Sequence, residues 1–402
     1  MKLLYIGTVC DQIKYKEMLS NTKKSPSIAS MVFEECFIDG LHMHNTNVQI
    51  YSFPMIPSIS KSRVWGWGKK HHTLKGYTVD LFPTINIIGL KQISRLLSSY
   101  CMIKKWLKKN RDAECAVLIY SLCPFAVPNI VKLCKRFHKK CFVIVPDLPT
   151  NMFMNHKLSL IKKALVKPYL SISFKYQSGF CGYIYLTEAM KDVIHTDAPY
   201  MVMEGIADTT QFEDIPKQKQ DKRAIMYAGR LHERYGVKTI IETYLKTPHD
   251  NLELWLFGDG DFVEEIKSYA KEDSTIQYWG RVDRRIVLEC ERKAALLVNF
   301  RDSANEYTKY SFPSKIMEYM LSGTPVFITE LPGIPEEYYS YVYHTNAFLP
   351  EEISMILKDI LSKSDDELDS TGENAREFIA EQKNSYVQSG RVLEFMRRIL
   401  EE

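Results

Sequence analysis

Short apolar runs alternate with longer amphipathic ones along most of the chain. In the first half, Lys2–Ile6, Val48–Ser52, Ala116–Tyr120, Cys141–Val145 and Gly182–Leu186 read as strands. The segments near Ile28–Leu41, Leu90–Lys109, Ala126–Arg136 and Ser159–Val166 carry helical periodicity. β-rich runs separated by amphipathic helices predict βαβ units and a parallel sheet. The pattern breaks around Asp197–Pro216 and in the charged, low-apolar stretch Lys217–Arg223, read as an interdomain hinge. It then restarts with strands at Ala224–Tyr227, Leu252–Phe257, Ile276–Tyr278 and Leu296–Asn299, and helices at Val237–Tyr244 and Phe262–Ala270. At 402 residues the chain is long enough for two α/β domains of ordinary size, 1–205 and 206–384.

The stretch Ser311–Val326 reads as loop, short helix, turn and strand. Ser311 suits a cap, Pro313 the first turn and Gly323 the stop. Lys315 then falls where the helix dipole disfavours a cation, and an anion bound at the helix start would compensate it. Glu318 follows about one turn later. The pair suggests phosphates at the helix end and ribose hydroxyls on the carboxylate; a surface lysine beside a solvated glutamate fits the same residues. In parallel sheets ligands lie beyond the carboxyl ends of strands, which selects two further positions. Asp147, between prolines after Cys141–Val145, can contact a sugar hydroxyl or simply close a turn. Arg230, beyond Ala224–Tyr227, stands where an anion clamp is expected, or is an exposed salt-bridge arginine. Asp259-Gly260-Asp261 can hold a divalent metal or form a glycine turn that lets backbone approach a ligand. Such tripeptides are common, and the site is expected to need no metal.

Composition sharpens this. Apolar residues make up 45% of the chain, enough for full cores. No apolar run spans a bilayer, and the opening Met1–Gly7 reads as a first strand rather than a signal peptide. Nine scattered cysteines show no zinc spacing, which suits a reducing cytoplasm. Cys36, Cys101, Cys134 and Cys290 fall in helical patterns as small packed hydrophobes. Charge is divided: residues 1–200 hold 28 basic and 12 acidic side chains, the remainder 25 and 37. A basic first half favours an anionic partner, and no nucleic-acid motif accompanies it. Leu90–Arg111 and Leu158–Leu170 are basic and amphipathic, so each fits a core helix or a surface resting on anionic lipid, the first fitting the core better. Trp65–His72 reads as a mobile aromatic and basic loop.

Four segments, taken in order, resemble the retaining GT-B glycosyltransferases of family four. They are Tyr227-Ala228-Gly229-Arg230-Leu231, Leu256-Phe257-Gly258-Asp259-Gly260, Ile276–Val282 and Phe312–Val326. Pro26-Ser27-Ile28-Ala29, Asp39-Gly40-Leu41 and Pro146-Asp147-Leu148-Pro149 look like members that act in polysaccharide assembly. The resemblance implies two Rossmann-like domains facing across a donor-binding cleft, with a final helix, 385–402, crossing back to the first. It implies transfer of a sugar from an NDP-sugar, and the basic first half points to a lipid-linked saccharide acceptor at the cytoplasmic face of the membrane. Arg230 would hold the diphosphate and Glu318 the ribose, with Gly258 and Gly260 bordering the nucleotide and Ser314 at the phosphate end of the helix. Two positions depart from the pattern. Tyr310 stands where the first glutamate of the family's pair belongs, with Glu306 nearby but off register. Tyr235 stands where a diphosphate lysine belongs, leaving Arg234 and Lys315 as substitutes. Such gaps also fit a non-catalytic GT-B subunit that binds a partner or glycan. A nucleotide-sugar epimerase of related architecture is a further alternative.

Overall fold

The computed structural model describes residues 1–10, 29–59, 64–68, 71–74, 76–123, 125–148, 171–172, 174–217, 223–248 and 251–402. The basic segment Leu158–Leu170, the helical pattern Ser159–Val166, Pro26–Ile28 and most of Lys217–Arg223 lie outside them. The chain divides into two compact units: residues 1–206 with 385–402, and residues 207–384.

The strands of the first unit are β1 (Lys2–Gly7), β2 (Asn47–Ser52), β3 (Gly66–Trp67), β4 (His71–Leu74), β5 (Tyr77–Leu81), β6 (Thr84–Ile85), β7 (Cys115–Tyr120), β8 (Lys140–Val145), β9 (Gly182–Tyr185) and β10 (Tyr200–Val202). Eight of them join in the order β10-β9-β8-β7-β1-β2-β5-β4, parallel except where β4 returns along β5. β1 lies inside this sheet and buries Leu3, Leu4, Tyr5 and Ile6, alternate residues facing opposite sides. β3 and β6 form a separate antiparallel ribbon. This replaces the loop expected at Trp65–His72: Trp67 is buried in the core while Trp65 stays exposed.

Helices α1 (Ala29–Met43), α2 (Leu90–Lys109) and α3 (Val127–Phe137) cover this sheet together with the C-terminal helix Ser385–Glu401. That last helix crosses α1 closely, because a Cβ on Gly40 would lie 2.0 Å from the Ser385 carbonyl. Val392, Leu393 and Met396 share one core with Phe37, Ile38 and Leu41. α2 departs from the core helix expected. Its second half buries Ile103, Trp106 and Leu107, but Leu90, Ile93, Leu96, Leu97 and Tyr100 are exposed. Cys101, on the same helix, is exposed rather than packed. Among the described residues, which include all nine cysteines, no disulfide forms.

The second unit holds β11 (Arg223–Arg230), β12 (Leu252–Asp259), β13 (Ile276–Gly280), β14 (Leu296–Asn299), β15 (Val326–Thr329) and β16 (Tyr343–Thr345). They form one parallel sheet in the order β13-β12-β11-β14-β15-β16. Its helices are α4 (Val237–Lys246), α5 (Val263–Glu272), α6 (Arg284–Lys293), α7 (Lys315–Leu321), α8 (Pro350–Leu361) and α9 (Asp365–Gln382). Strand order reverses between β11 and β14, so a crevice opens beyond their carboxyl ends, the position at which doubly wound sheets take ligands.

One buried carboxylate governs the start of the first unit. Glu34 sits on the inward stripe of α1 with Met31, Ile38 and Leu41, and is fully buried. It accepts hydrogen bonds from the Thr8 backbone N–H (2.9 Å), the Thr8 hydroxyl and the Tyr5 hydroxyl (2.8 Å), and so pins the turn after β1. Burial outweighs these donors and pushes its pKa from the ordinary 4.5 up to about 7. A carboxyl raised in the folded state contributes stability below its unfolded pKa, and loses it as pH rises through the folded one. Glu34→Gln is therefore expected to match the wild type near pH 4. It should exceed it by on the order of 3 kcal/mol above pH 7. Urea unfolding across pH 4–8 checks this, and a gap that does not change with pH would refute it.

Candidate functional site

The crevice of the second unit is built on close backbone packing. Gly258 has φ +130°, and a Cβ there would stand 1.8 Å from the Gly229 carbonyl. At Gly260 it would stand 1.9 Å from the Leu231 carbonyl. Both glycines are thus required by the approach of β12 to β11, whatever ligand lies above them. Arg230 is the last residue of β11, one place inside the strand rather than beyond it, and lies opposite Asp259. It is exposed, and among the described residues no carboxylate pairs with it. The aspartates of Asp259-Gly260-Asp261 are engaged locally: Asp259 accepts the Gly260 N–H at 2.9 Å, and Asp261 lies 2.6 Å from Nδ1 of His232.

α7 begins at Lys315 with Ser314 at its cap position and Pro313 outside it, a shorter helix than the sequence predicts. Ser314 is exposed and its side chain makes no capping bond. Tyr319 ties the helix to β11 by accepting the Ala228 N–H at 2.7 Å and donating to the Ala228 carbonyl. The cation at the helix start has an explanation other than a bound anion. Lys315 Nζ pairs with Glu318 and lies 3.4 Å from Glu291, a completely buried carboxylate on α6. The second oxygen of Glu318 takes Arg284 Nη2 at 2.8 Å, and that guanidinium also donates to Gln211. Burial acts to raise the Glu318 pKa, but Lys315 and Arg284 outweigh it and hold it at about 2. Burial and the Glu318 charge push Glu291 well above its ordinary value. Burial also acts against the Lys315 ammonium, and the two carboxylates more than offset it. Glu318 is ionised and held in place by Lys315, Arg284 and a hydrogen bond with Glu291.

The same unit holds an aromatic and cationic cluster around Tyr235. The Arg234 guanidinium stacks on the Tyr235 ring at 4.7 Å and donates to its hydroxyl at 2.8 Å. Tyr307 meets the same ring edge-on and donates to the Arg234 carbonyl at 2.9 Å. Tyr310 ends the 3₁₀ turn Glu306–Tyr310 and is half-buried, while Glu306 is exposed. Tyr227, buried beneath, feels the charges of both Arg301 and Lys315; burial keeps its pKa up at about 12. Arg230, Arg234, Lys315, Glu318, Gly258, Gly260, Ser314 and Tyr310 thus all belong to the second unit. Asp147 belongs to the first, exposed two residues beyond β8, where its charge reaches Tyr120. Sequence reading missed Glu291, Arg284, Arg301 and Glu34. Glu291 and Glu34 each carried one signal, a carboxylate on the apolar stripe of a helix.

Residues 222–360 match the protein family described as Glycosyl transferases group 1. An uncharacterized glycosyltransferase of Methanocaldococcus jannaschii is 25% identical over 192 residues, 45% of this chain and 47% of that protein. The chain therefore spans about half the length of the curated relative it matches. Solved structures align over nearly the whole chain. HepE of Anabaena, in complex with UDP, has a TM-score of 0.64 at 13% identity, covering 99% of this chain and 100% of that one. The lipopolysaccharide outer core galactosyltransferase WaaB, in its apo form, has a TM-score of 0.61 at 13% identity, covering 99% and 100%. The trehalose-6-phosphate synthase OtsA has a TM-score of 0.68 at 9% identity, covering 99% of both. The chain has the GT-B fold, built from two Rossmann-like units.

Removing the ammonium between two buried carboxylates should be costly. Lys315→Met is expected to destabilise the protein by about 3–5 kcal/mol at pH 7. Adding Glu291→Gln, which takes away the buried acid left without its cation, should recover a large part of it. Urea unfolding of the single and double variants checks this, and strictly additive costs would show that the three groups do not act together.

Proposed function

We propose that the chain is a glycosyltransferase that takes a sugar from an NDP-sugar, retains its anomeric configuration, and delivers it to a lipid-linked saccharide. The observation that carries this reading is Arg230, a guanidinium with no carboxylate partner among the described residues, at the crevice of a doubly wound sheet. A permanently charged, bidentate donor group there fits a diphosphate. The ionised Glu318, on α7 of the same unit, would suit ribose hydroxyls. Relatives of this fold lend support, since HepE is described with UDP and with UDP and glucose.

The chemistry asks chiefly for stabilisation of the leaving group. The bond between the anomeric carbon and the diphosphate oxygen breaks as the acceptor hydroxyl attacks from the same face. A diphosphate oxygen takes the hydroxyl proton, and NDP departs. Arg230 would neutralise the charge that grows on the diphosphate. Arg234 stands close by, stacked on Tyr235. Lys315, whose charge is matched by Glu318 and Glu291, acts in this reading mainly by orienting Glu318. No metal is assigned to Asp259-Gly260-Asp261, where Asp259 accepts the Gly260 N–H and Asp261 pairs with His232. Asp147 would meet the acceptor sugar.

The acceptor side is read from α2. No helix among the described residues is long and apolar enough to cross a membrane. Yet Ile88, Leu90, Ile93, Leu97 and Tyr100 are exposed, Ile88 by 67% and Leu97 by 61%. Lys104, Lys105, Lys108 and Lys109 follow them, and no acidic residue occurs between Asp80 and Asp112. An apolar strip continued by lysines suits the surface of an anionic bilayer, where a lipid-linked acceptor and its enzyme would meet.

Incubation with a panel of NDP-sugars and lipid-linked saccharides should release NDP and yield a glycosylated lipid. Arg230→Ala should lower that rate by roughly a hundredfold or more. A non-catalytic subunit, the reading that Tyr310 favours, would give neither product nor NDP. In flotation assays at low salt the protein should rise with anionic vesicles and not with zwitterionic ones, and Leu97→Glu should weaken it. A protein that stays in the soluble fraction under all these conditions would end the membrane part of the proposal.

A further inference from the structure

Tyr235 occupies the place where the resemblance leads one to expect a cation, and the structure brings one to it from another strand. Arg301 lies two residues beyond β14, the strand that borders the crevice opposite β11. Its guanidinium carbon stands 5.0 Å from the centre of the Tyr235 ring. The tyrosine is therefore in contact with two guanidinium groups, those of Arg234 and Arg301.

The position of Arg301 is fixed at three points. Its backbone N–H donates to the Thr329 hydroxyl at 2.8 Å, and that hydroxyl donates back to the Arg301 carbonyl at 2.7 Å. Its Nε donates to Asn299 Oδ1 at 3.2 Å. Asn299 is itself 1% exposed, and its Nδ2 has no hydrogen-bond partner among the described residues. The loop carrying Tyr235 is locked to the same spot. Gly236 has φ +82°, and a Cβ on it would stand 1.3 Å from the Phe300 carbonyl, so no other residue lets the loop seat there. With Nε committed to Asn299, the terminal nitrogens of Arg301 hold no protein acceptor, and no carboxylate pairs with the group among the described residues. A half-buried guanidinium kept rigid and without a counter-charge is ready for an anion.

We propose that Arg301, braced by Tyr235 and Asn299, is the second diphosphate-binding cation of this site. In this arrangement it meets the terminal phosphate of the nucleotide, while Arg230 reaches the diphosphate from the end of β11. The lysine expected at Tyr235 is then replaced by an aromatic platform and an arginine from the neighbouring strand. The inference rests on the donor-site reading given under Proposed function and goes beyond it in naming the group that senses the second phosphate.

Calorimetry of the full chain with UDP, GDP, UMP and GMP tests it. The wild type should bind one diphosphate more tightly than the matching monophosphate. Arg301→Ala should weaken diphosphate binding roughly tenfold or more, leave monophosphate binding within about twofold, and so erase the preference. Arg301→Lys should keep part of it. Tyr235→Phe should keep most of it and Tyr235→Ala should lose more, because the ring face, not the hydroxyl, is the platform. Thermal melts of each variant establish that it is folded. Diphosphate binding by Arg301→Ala within twofold of wild type overturns this inference and leaves Arg230 and the donor site intact. Absence of any diphosphate binding by the wild type overturns the donor site itself, and this inference with it.

Discussion

The second unit depends on how near its backbone segments come to one another at the carboxyl ends of β11, β12 and β14. Gly258 against Gly229, Gly260 against Leu231 and Gly236 against Phe300 leave no space for a Cβ at any of the three contacts. The constraint is steric, and it has electrical consequences. β11 and β14 are neighbours in the sheet, so Arg230 ends one strand and Arg301 follows the next. Looser packing would let each arginine find a carboxylate or water, and neither would be held for a ligand. Small residues here act on the charges by fixing the backbone that carries them.

The cations of this unit fall into two groups by what neutralises them. Lys315 is enclosed by Glu318 and Glu291, and Arg284 closes the other side of Glu318. That group sets Lys315 and Arg284 on the ionised Glu318, while Glu291, its pKa pushed well up by burial and the Glu318 charge, faces Lys315 from another helix. It orders the start of α7 and fixes the orientation of one ionised carboxylate. Buried ionic clusters of this kind contribute more to position than to net stability, since desolvation offsets much of their attraction. Among the described residues Arg230 and Arg301 have no carboxylate partner, so their charge is open to an incoming anion. In the proposed reading the two arginines, rather than Lys315, carry anion binding.

The alternation of strands and helices, and with it the parallel sheets, was legible because apolar period and length report burial directly. The order and spacing of the glycine-bearing segments made the second unit recognisable as well. Other features needed coordinates. The β4–β5 hairpin and the β3–β6 ribbon are too short and too mixed in polarity to stand out, and Trp67 is buried by partners far off in sequence. The exposed face of α2 has the same periodicity as a core helix, and only the neighbours decide between the two. Lys315 illustrates the general difficulty. Its place at a helix start was plain from sequence, but the carboxylate that answers it, Glu291, lies 24 residues earlier on another helix. Ion pairs between elements leave no local trace.

The departures from the family pattern take on a physical meaning when the strands are seen side by side. A lysine following β11 would offer one mobile ammonium on a flexible stem. Tyr235 with Arg301 offers a planar fork resting on a ring, with its Nε already bound and its main chain held by Thr329. The first is adaptable and loses side-chain entropy when it binds. The second has lost that freedom on folding and presents a fixed geometry. Replacement of a cation by an aromatic residue is therefore weak evidence for lost function when a second cation is stacked on the ring. Tyr310 differs: it ends the turn Glu306–Tyr310, and among the described residues no cation stacks on its ring. In the proposed reading, the asymmetry between the two positions puts this chain's departure from the expected pattern at the sugar end of the donor, with the diphosphate end kept.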